Sequence, residues 1–150
     1  MRRFVWRLQR VLDIRTKEEQ KARSELLKLT EQLAQTRSEL LAWRKILEDL
    51  INGLTVENPK KRLGKQEFFM RYSAESDERI KKLEGRVKEL ELKQKEKIAE
   101  VMKLRKFKEG LEKLRTEAKI QFIKEQEKLE QQQIDDGATV SFVRKSRIRR

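Results

Sequence analysis

Apolar residues recur along the first third of the chain at alternating intervals of three and four residues. Between Val5 and Leu54, twelve of fifteen such positions are apolar, where the 36% hydrophobic content of the chain gives about five by chance. This alternation averages 3.5 residues, which is the repeat of a coiled coil rather than of an isolated helix. A seam of this kind, surrounded by charged residues, predicts one long helix packed against a second helix. Its positions are Val5, Leu8, Leu12, Arg15, Glu19, Ala22, Leu26, Leu29, Leu33, Thr36, Leu40, Trp43, Leu47, Leu50 and Leu54.

Turn residues near the middle of the chain predict where this first helix ends. Asn52-Gly53 indicates a stop near residue 52, because glycine is favoured just after the last turn of a helix. Asn58-Pro59 is typical of an N-cap followed by proline at the first helical position, whereas Gly64 favours a start of regular helix near Lys65. A connection of this length returns the second helix antiparallel to the first.

The predicted fold class is all-α: a two-helix antiparallel coiled-coil hairpin with a longer second helix. We expect one domain over residues 1–150. Its parts are a first helix at about residues 3–52, a turn at 53–64, a second helix at about 65–136 and a mobile basic tail at 137–150. At 1.5 Å per residue the two helices would span roughly 75 Å and roughly 105 Å.

The second helix carries a seam whose phase changes near its middle. The first part ends at Gln94, and the pattern resumes at Ile98, which predicts a stutter that locally relaxes the supercoil. The positions before the change are Ile80, Leu83, Val87, Leu90 and Gln94. Those after it are Ile98, Val101, Leu104, Leu111, Leu114, Ala118, Phe122 and Leu129.

Unequal helices leave part of the second one unpaired. Counting back from the turn places Val5 opposite a residue near 110, so the second helix should overhang by about 20 residues, roughly 30 Å. Unpaired apolar surface of this extent suggests a partner or self-association. The apolar residues of the overhang are Leu114, Ile120, Phe122, Ile123 and Leu129.

The amino-acid composition argues against catalytic and metal-binding functions. Charged residues make up 43% of the chain, and His and Cys are absent, which removes the commonest general base, nucleophile and zinc ligands. No Gly-rich phosphate loop is present. We therefore predict no catalytic, cofactor-binding or metal site, no small-molecule substrate and no enzymatic activity. The lack of a long apolar run or signal-peptide core leads us to expect a cytoplasmic protein.

The net charge of +13 is placed unevenly. Residues 1–23 carry eight Lys or Arg against three acids, and residues 131–150 carry five against two, whereas residues 24–58 carry four against six. An antiparallel hairpin brings both basic termini towards the same end. Such a field attracts acidic proteins, nucleic acid or anionic lipid without distinguishing among them.

Three surfaces remain as candidates for binding. The N-terminal turn (Phe4, Trp6, Val11 and Ile14) could pack on the overhang, dock a protein or, with Arg2, Arg3, Arg7 and Arg10, contact a membrane. The tip cluster (Phe68, Phe69, Met70 and Tyr72) could dock a partner or cap the hairpin tip. The basic residues of the second helix have acids three or four positions away, as in Glu84–Lys88 and Glu109–Lys113. That spacing favours a solvated face over a nucleic-acid site.

Two stretches resemble the flagellar export protein FliJ family. The first is Phe4-Val5-Trp6-Arg7-Leu8-Gln9-Arg10-Val11-Leu12-Asp13-Ile14-Arg15, followed by Glu18-Glu19 and Ala22. The second is Leu111-Glu112-Lys113-Leu114 with the run from Glu125 to Ile134, followed by Asp135-Asp136 and a basic tail. The tail differs from the family's usual pattern in its apolar residues Val140, Phe142 and Val143.

The resemblance implies a stalk component of the type III export apparatus that is similar to the central stalk of rotary ATPases. It implies insertion into a hexameric export ATPase ring, promotion of the ring's assembly and activity, a link to the membrane export gate and handling of export chaperones. It also implies peripheral association with the inner face of the cell membrane at the flagellar base. For the ATPase we expect contacts from Arg3, Trp6, Arg7, Arg10, Ile120 and Ile123, and for the gate from Phe68, Phe69 and Tyr72.

Three alternatives stay open. They are a related injectisome stalk, a rotary-ATPase stalk subunit, and a basic coiled-coil hairpin that binds nucleic acid. Nucleic-acid binding would weaken steeply with salt, whereas the export function predicts salt-tolerant capture of an ATPase and faster ATP hydrolysis.

Overall fold

The computed structural model of the protein describes the backbone of residues 2–56 and 59–148 and the side chains of residues 2–54 and 63–148. It contains two α-helices packed against each other, α1 (Gln9–Val56) and α2 (Pro59–Ile148), and no strand among the described residues. The predicted all-α helical hairpin is confirmed.

The seam predicted for the first helix is the buried face of α1. Every predicted position from Leu8 to Leu54 is buried or half-buried, and Leu33 is only 2% exposed. Val5, which precedes α1, is instead 82% exposed. Between Leu12 and Leu54 the residues flanking the seam are mostly exposed, so apolar contact is confined to one narrow stripe, as the 3.5-residue repeat requires.

The ends of α1 differ from the expected residues 3 and 52. The helix begins at Gln9, whose N–H donates to the carbonyl of Trp6 at 3.2 Å. Phe4 packs on α2 instead of continuing the helix, and no Ser, Thr, Asp or Asn stands nearby to cap an earlier start. At the other end Gly53 does not stop the helix. Its φ is not positive, and Leu54 adds one more half-buried seam position beyond it.

The ends of α2 also lie outside the expected span of 65–136. The helix begins at Pro59, in agreement with the signal from proline at a first helical position; Asn58 lies outside the described residues. It continues through Gly137 to Ile148, where a mobile tail was expected. A glycine inside a helix costs only about 1 kcal/mol. Lys145 and Arg147 in the last turn favour helix, since cations there offset the helix dipole.

The chain divides into two compact units. The terminal unit comprises Met1–Glu18 with Leu104–Arg150, and the tip unit comprises Glu19–Lys103. Each unit contains segments of both helices and is described by itself below. The assignment of residues 1–150 to one domain stays a prediction.

Polar contacts fix how the two helix segments of the tip unit align. The Gln94 amide donates to the Thr30 hydroxyl at 3.2 Å. Two ion pairs cross between the helices with N···O distances of 2.8 Å, Arg37–Glu91 and Arg44–Glu84. These groups are exposed or half-exposed, so each pair contributes little stability in water. These contacts instead specify the alignment of the two helices, because each of them can form in one alignment only.

The predicted stutter between Gln94 and Ile98 is absent. Lys97, not Ile98, occupies the next seam position: the Lys97 side chain is 17% exposed and Ile98 is 40% exposed. The stem of a lysine can lie along an apolar seam while its ammonium reaches polar groups at the edge. Here the ammonium pairs with Glu25 of α1 and, at 3.1 Å, with Glu100 of α2. The seam of α2 therefore keeps its phase through a charged residue.

The ion pair across the tip unit makes stability depend on pH. The hydrogen bond from Lys97, followed by its charge, lowers the pKa of Glu25 below its ordinary value of 4.5. The contribution to stability is present above the unfolded-state pKa and is lost as pH falls through the lower folded-state pKa. We expect Glu25→Gln to lower the melting temperature at pH 7 and to flatten its decline as the pH falls below 4.5. Circular dichroism melts measure this, and Glu39→Gln, at an exposed position of α1, is the control. Parallel pH curves for wild type and Glu25→Gln would contradict the assignment.

Ser76 is a buried polar residue of the tip unit whose hydroxyl has no hydrogen-bond partner among the described residues. An unsatisfied buried hydroxyl costs about 1 kcal/mol or more, and alanine is also the better helix former. We expect Ser76→Ala to raise the free energy of unfolding by about 1 kcal/mol in urea titrations. Ser73→Ala is the matched control, since the Ser73 hydroxyl donates to the Met70 carbonyl at 3.1 Å. A destabilised Ser76→Ala variant would show that the hydroxyl is satisfied.

Candidate docking surfaces

In the terminal unit, the segment before α1 is held against α2 by aromatic contact. The rings of Phe4 and Phe122 lie with centroids 5.4 Å apart at 55°, a tilted geometry that aromatic pairs favour. The guanidinium of Arg115 lies 5.8 Å from the Phe4 ring centre, and its Nε donates to Oε1 of Gln9 at 2.7 Å. Of the alternatives for the N-terminal turn, packing on α2 is therefore observed for Phe4.

This contact corrects the predicted pairing of the helices in this unit. Phe4 packs on Phe122, and Gln9 bonds to Arg115, whereas Val5 was expected near residue 110. Phe122 thus does not belong to the unpaired overhang. The expected pairing requires both helices to use equal numbers of residues from the connection onward. The tip unit shows that these numbers are unequal. Arg44 pairs with Glu84, and Glu84 lies many more residues from the start of α2 at Pro59 than Arg44 lies from the end of α1 at Val56.

The residues expected to contact an ATPase divide into two kinds. Arg3, Arg7 and Arg10 are exposed, whereas Trp6 is half-buried. On α2, Ile120 and Ile123 are 48% and 45% exposed. Ile123 borders a shallow groove on the terminal unit, whose other lining residues are Arg2, Phe122, Gln126, Glu127 and Glu130. We call the set Arg3, Trp6, Arg7, Arg10, Ile120 and Ile123 the terminal surface.

The seam of the terminal unit mixes polar and apolar groups. Leu12 and Leu111 are each 8% exposed. Arg15, a predicted seam position, places its guanidinium 4.7 Å from the ring centre of Phe107 and pairs with Glu18 at 2.9 Å. Arg115 takes the seam position expected for Leu114, which is 50% exposed. Long basic side chains therefore serve as packing groups here.

The tip cluster is partly core and partly surface. Phe69 and Tyr72 are half-buried, whereas Phe68 and Met70 are 61% and 73% exposed. Phe68 and Phe69 line an apolar pocket with residues of α1, which are Asp49, Leu50, Gly53 and Leu54; Lys65 of α2 also borders it. The Phe68 and Tyr72 rings stack 5.9 Å apart. Exposed aromatic surface suited to docking thus remains mainly at Phe68.

Trp43 contacts this cluster through Tyr72, whereas the sequence pattern identified Trp43 only as a seam residue. Its ring centre lies 6.2 Å from that of Tyr72, and the guanidinium of Arg79 lies 4.8 Å above it. Both contacts join α1 to α2 across long sequence separations. A seam pattern within one helix cannot reveal them, because the partner of a seam residue depends on the alignment of the two helices.

The basic face of α2 is interleaved with acids. Observed pairs include Arg86–Glu89 at 3.3 Å and Arg105–Glu109 at 3.1 Å. The expected pairs were different, since Glu84 pairs with Arg44 of α1 and Glu109 pairs with Arg105. Such interleaving fits a solvated face. Neither helix, within its described residues, has a stretch apolar and long enough to span a membrane.

Comparison with known proteins identifies a family. The model of the family described as "Flagellar FliJ protein" matches residues 4–147, which is nearly the whole chain. No curated protein and no solved structure matches the chain significantly.

Proposed function

Because the chain belongs to the flagellar FliJ protein family, and is thereby a component of the flagellar export apparatus, we propose that it is a non-enzymatic stalk of that apparatus. It inserts into the hexameric export ATPase ring, promotes the assembly and activity of the ring, and links it to the membrane export gate and to export chaperones. It acts peripherally at the inner face of the cell membrane, at the flagellar base.

The terminal surface supports the ATPase contact. Three arginines are exposed on or just before the first turn of α1, and the Phe4–Phe122 contact holds that segment against α2. Arg2 of the same segment shares a shallow groove with Ile123, so exposed positive charge and exposed isoleucine occur together on the terminal unit. Protein interfaces combine electrostatic attraction with apolar burial in this way. This juxtaposition is the observation that carries the proposal, and its partner surface should be acidic.

The export ATPase provides the direct test. The purified chain should capture the hexameric ATPase from the cytosol of its own source and increase its rate of ATP hydrolysis. Capture should persist at about 300–500 mM salt, where binding that depends on phosphate contacts falls by orders of magnitude. Retention of nucleic acid at low salt alone, without stimulation of an ATPase, would favour the nucleic-acid alternative. Capture of an injectisome ATPase instead would identify that related system.

The tip of the hairpin offers a contact for the export gate. We expect Phe68→Ala to keep the melting temperature within about 2 °C, since an exposed substitution changes stability by about 0.5 kcal/mol or less. It should weaken binding to the cytoplasmic part of the gate at least about tenfold, as loss of an aromatic anchor does. Calorimetry and biolayer interferometry measure the two effects.

The half-buried neighbours of Phe68 are the comparison for this variant. Tyr72→Ala removes the contacts with Trp43 and Phe68, so it should lower the melting temperature as well. A Phe68→Ala variant that melts early, or that binds the gate like wild type, would assign Phe68 to capping of the tip.

A further inference from the structure

Within the described chain, the last part of α2 has no face covered by α1, although Arg2 shares a shallow groove with Glu127 and Glu130 at its beginning. Every residue from 127 to 148, here called the exposed arm, is exposed. Leu129, Val140 and Val143 are 48%, 52% and 44% exposed, and Phe142 is 73% exposed. Most of the stability of helices in proteins comes from packing of an apolar face. A helix of this length without a buried side chain therefore calls for a covering surface.

Half of the large apolar residues of the exposed arm lie on one stripe at coiled-coil spacing, whereas Ile134, Phe142 and Ile148 lie off it. The half-buried positions Phe122 and Gln126 lead on in steps of three and four to Leu129, Val140 and Val143, with polar positions between them. The complete set beyond Gln126 is Leu129, Gln133, Asp136, Val140, Val143 and Arg147. The step from Phe122 to Gln126 follows another step of four from Ala118, so this stripe is shifted in phase from the seam that α1 covers. Its spacing of three and four residues nevertheless suits packing against a second helix in a coiled coil.

The distribution of charge along the exposed arm indicates which helix would pack against it. Its first half, residues 127–137, carries four acids and one lysine, whereas residues 138–148 carry three basic residues and no acid. A segment with opposite charges at its two ends complements itself when a second copy lies antiparallel to it. A parallel pair would instead bring like charges together.

We propose that the exposed arm pairs with the exposed arm of a second copy of this chain as an antiparallel two-helix coiled coil. In the heptad alignment that pairs seam positions, Glu130 of one copy lies beside Arg144 of the other, and two-fold symmetry repeats the pair. Gly137 of each copy lies near the symmetry axis, where the absence of a side chain lets the helices approach closely. Such an interface is isologous, with the same residues used by both copies.

The interface is small and its seam carries Gln133, Asp136 and Arg147. We therefore place it among weak, reversible associations rather than obligate dimers. Sedimentation velocity of the full chain should show dimers forming between about 10 µM and 1 mM, and salt should weaken them because the flanking charges are exposed. A chain that stays monomeric up to about 1 mM at low salt would overturn the proposal.

Charge exchange tests the antiparallel pairing. Glu130→Arg alone and Arg144→Glu alone should each raise the dimer dissociation constant about tenfold, because each creates two repulsive pairs. The double variant Glu130→Arg/Arg144→Glu restores opposite charges at both places and should dimerise like wild type. If the double variant is as weak as either single one, or if no variant changes the dimer, the proposed pairing is wrong.

The chain contains no cysteine, so single introduced thiols report the pairing without background. A mixture of Glu130→Cys and Arg144→Cys chains, treated with a short bismaleimide, should give a covalent dimer. Neither variant alone should do so. Cross-linking of Glu130→Cys with itself would indicate a parallel pair and would overturn the proposal. None of these measurements uses the ATPase, so their outcome is independent of the function proposed above.

Discussion

Replacing Leu33 by alanine is expected to lower the free energy of unfolding by about 3 kcal/mol, in the range found for buried leucines. Leu33 is 2% exposed and lies in the seam of the tip unit, in the stretch bracketed by the Thr30–Gln94 bond and the Arg37–Glu91 pair. A narrow seam has few side chains that can move into the cavity left by the deletion. Urea unfolding followed by circular dichroism at 222 nm measures the loss.

Leu41→Ala is the matched control on the same helix. Leu41 is 64% exposed, so the same deletion should change the free energy of unfolding by no more than about 0.5 kcal/mol. Equal losses for the two variants would mean that α1 buries a different face from the one described. A large loss for Leu41→Ala alone would have the same meaning.

Reversal of the three arginines of the terminal surface is expected to have the largest effect on function. The triple variant Arg3→Glu, Arg7→Glu and Arg10→Glu should weaken binding to the export ATPase at least about tenfold, since like charges facing each other at an interface cost several kcal/mol. The fold should persist, because these side chains are exposed and an acid near the start of α1 favours the helix. Biolayer interferometry and the rate of ATP hydrolysis, both at fixed salt, are the readouts.

A control with the same change in net charge separates local from global electrostatics. Lys45, Lys81 and Lys82 are exposed residues of the tip unit, and their triple change to glutamate should leave ATPase binding nearly unchanged. Equal loss in both variants would show that overall charge rather than the terminal surface attracts the ATPase. Full retention by the arginine variant would place the ATPase contact elsewhere.

Sequence pattern alone predicted the buried face of α1 well because that face obeys a simple rule. Apolar residues at coiled-coil spacing have one stripe to occupy, and even the polar positions Arg15 and Glu19 were assigned to it correctly. The rule worked less well for α2, where Lys97 and Arg115 hold seam positions in place of Ile98 and Leu114. A pattern read from apolar residues alone misses long side chains that bury only their stems.

The candidate surfaces were predicted less completely for a different reason. Exposure of Arg3, Arg7 and Arg10 follows from their charge, but the Phe4–Phe122 contact depends on the alignment of residues far apart in the chain. The same holds at the tip, where the contact of Trp43 with Tyr72 depends on the alignment of the two helices. The C-terminal ends of both helices also lie beyond the predicted residues. Gly53 and Gly137 are tolerated within these helices because the neighbouring turns continue regularly.

The polar groups in the seam of the tip unit bear on what happens when one helix is pulled along the other. If the seam contained leucines alone, one helix could shift by one heptad along the other, and each leucine would again pack against a leucine. Here a slide would separate the Lys97 ammonium from Glu25 and the Gln94 amide from Thr30, so that Lys97 would keep Glu100 of its own helix but lose its partner on α1. Slippage is therefore penalised while bending is not, and the tip unit can resist shear between its helices without a wide core.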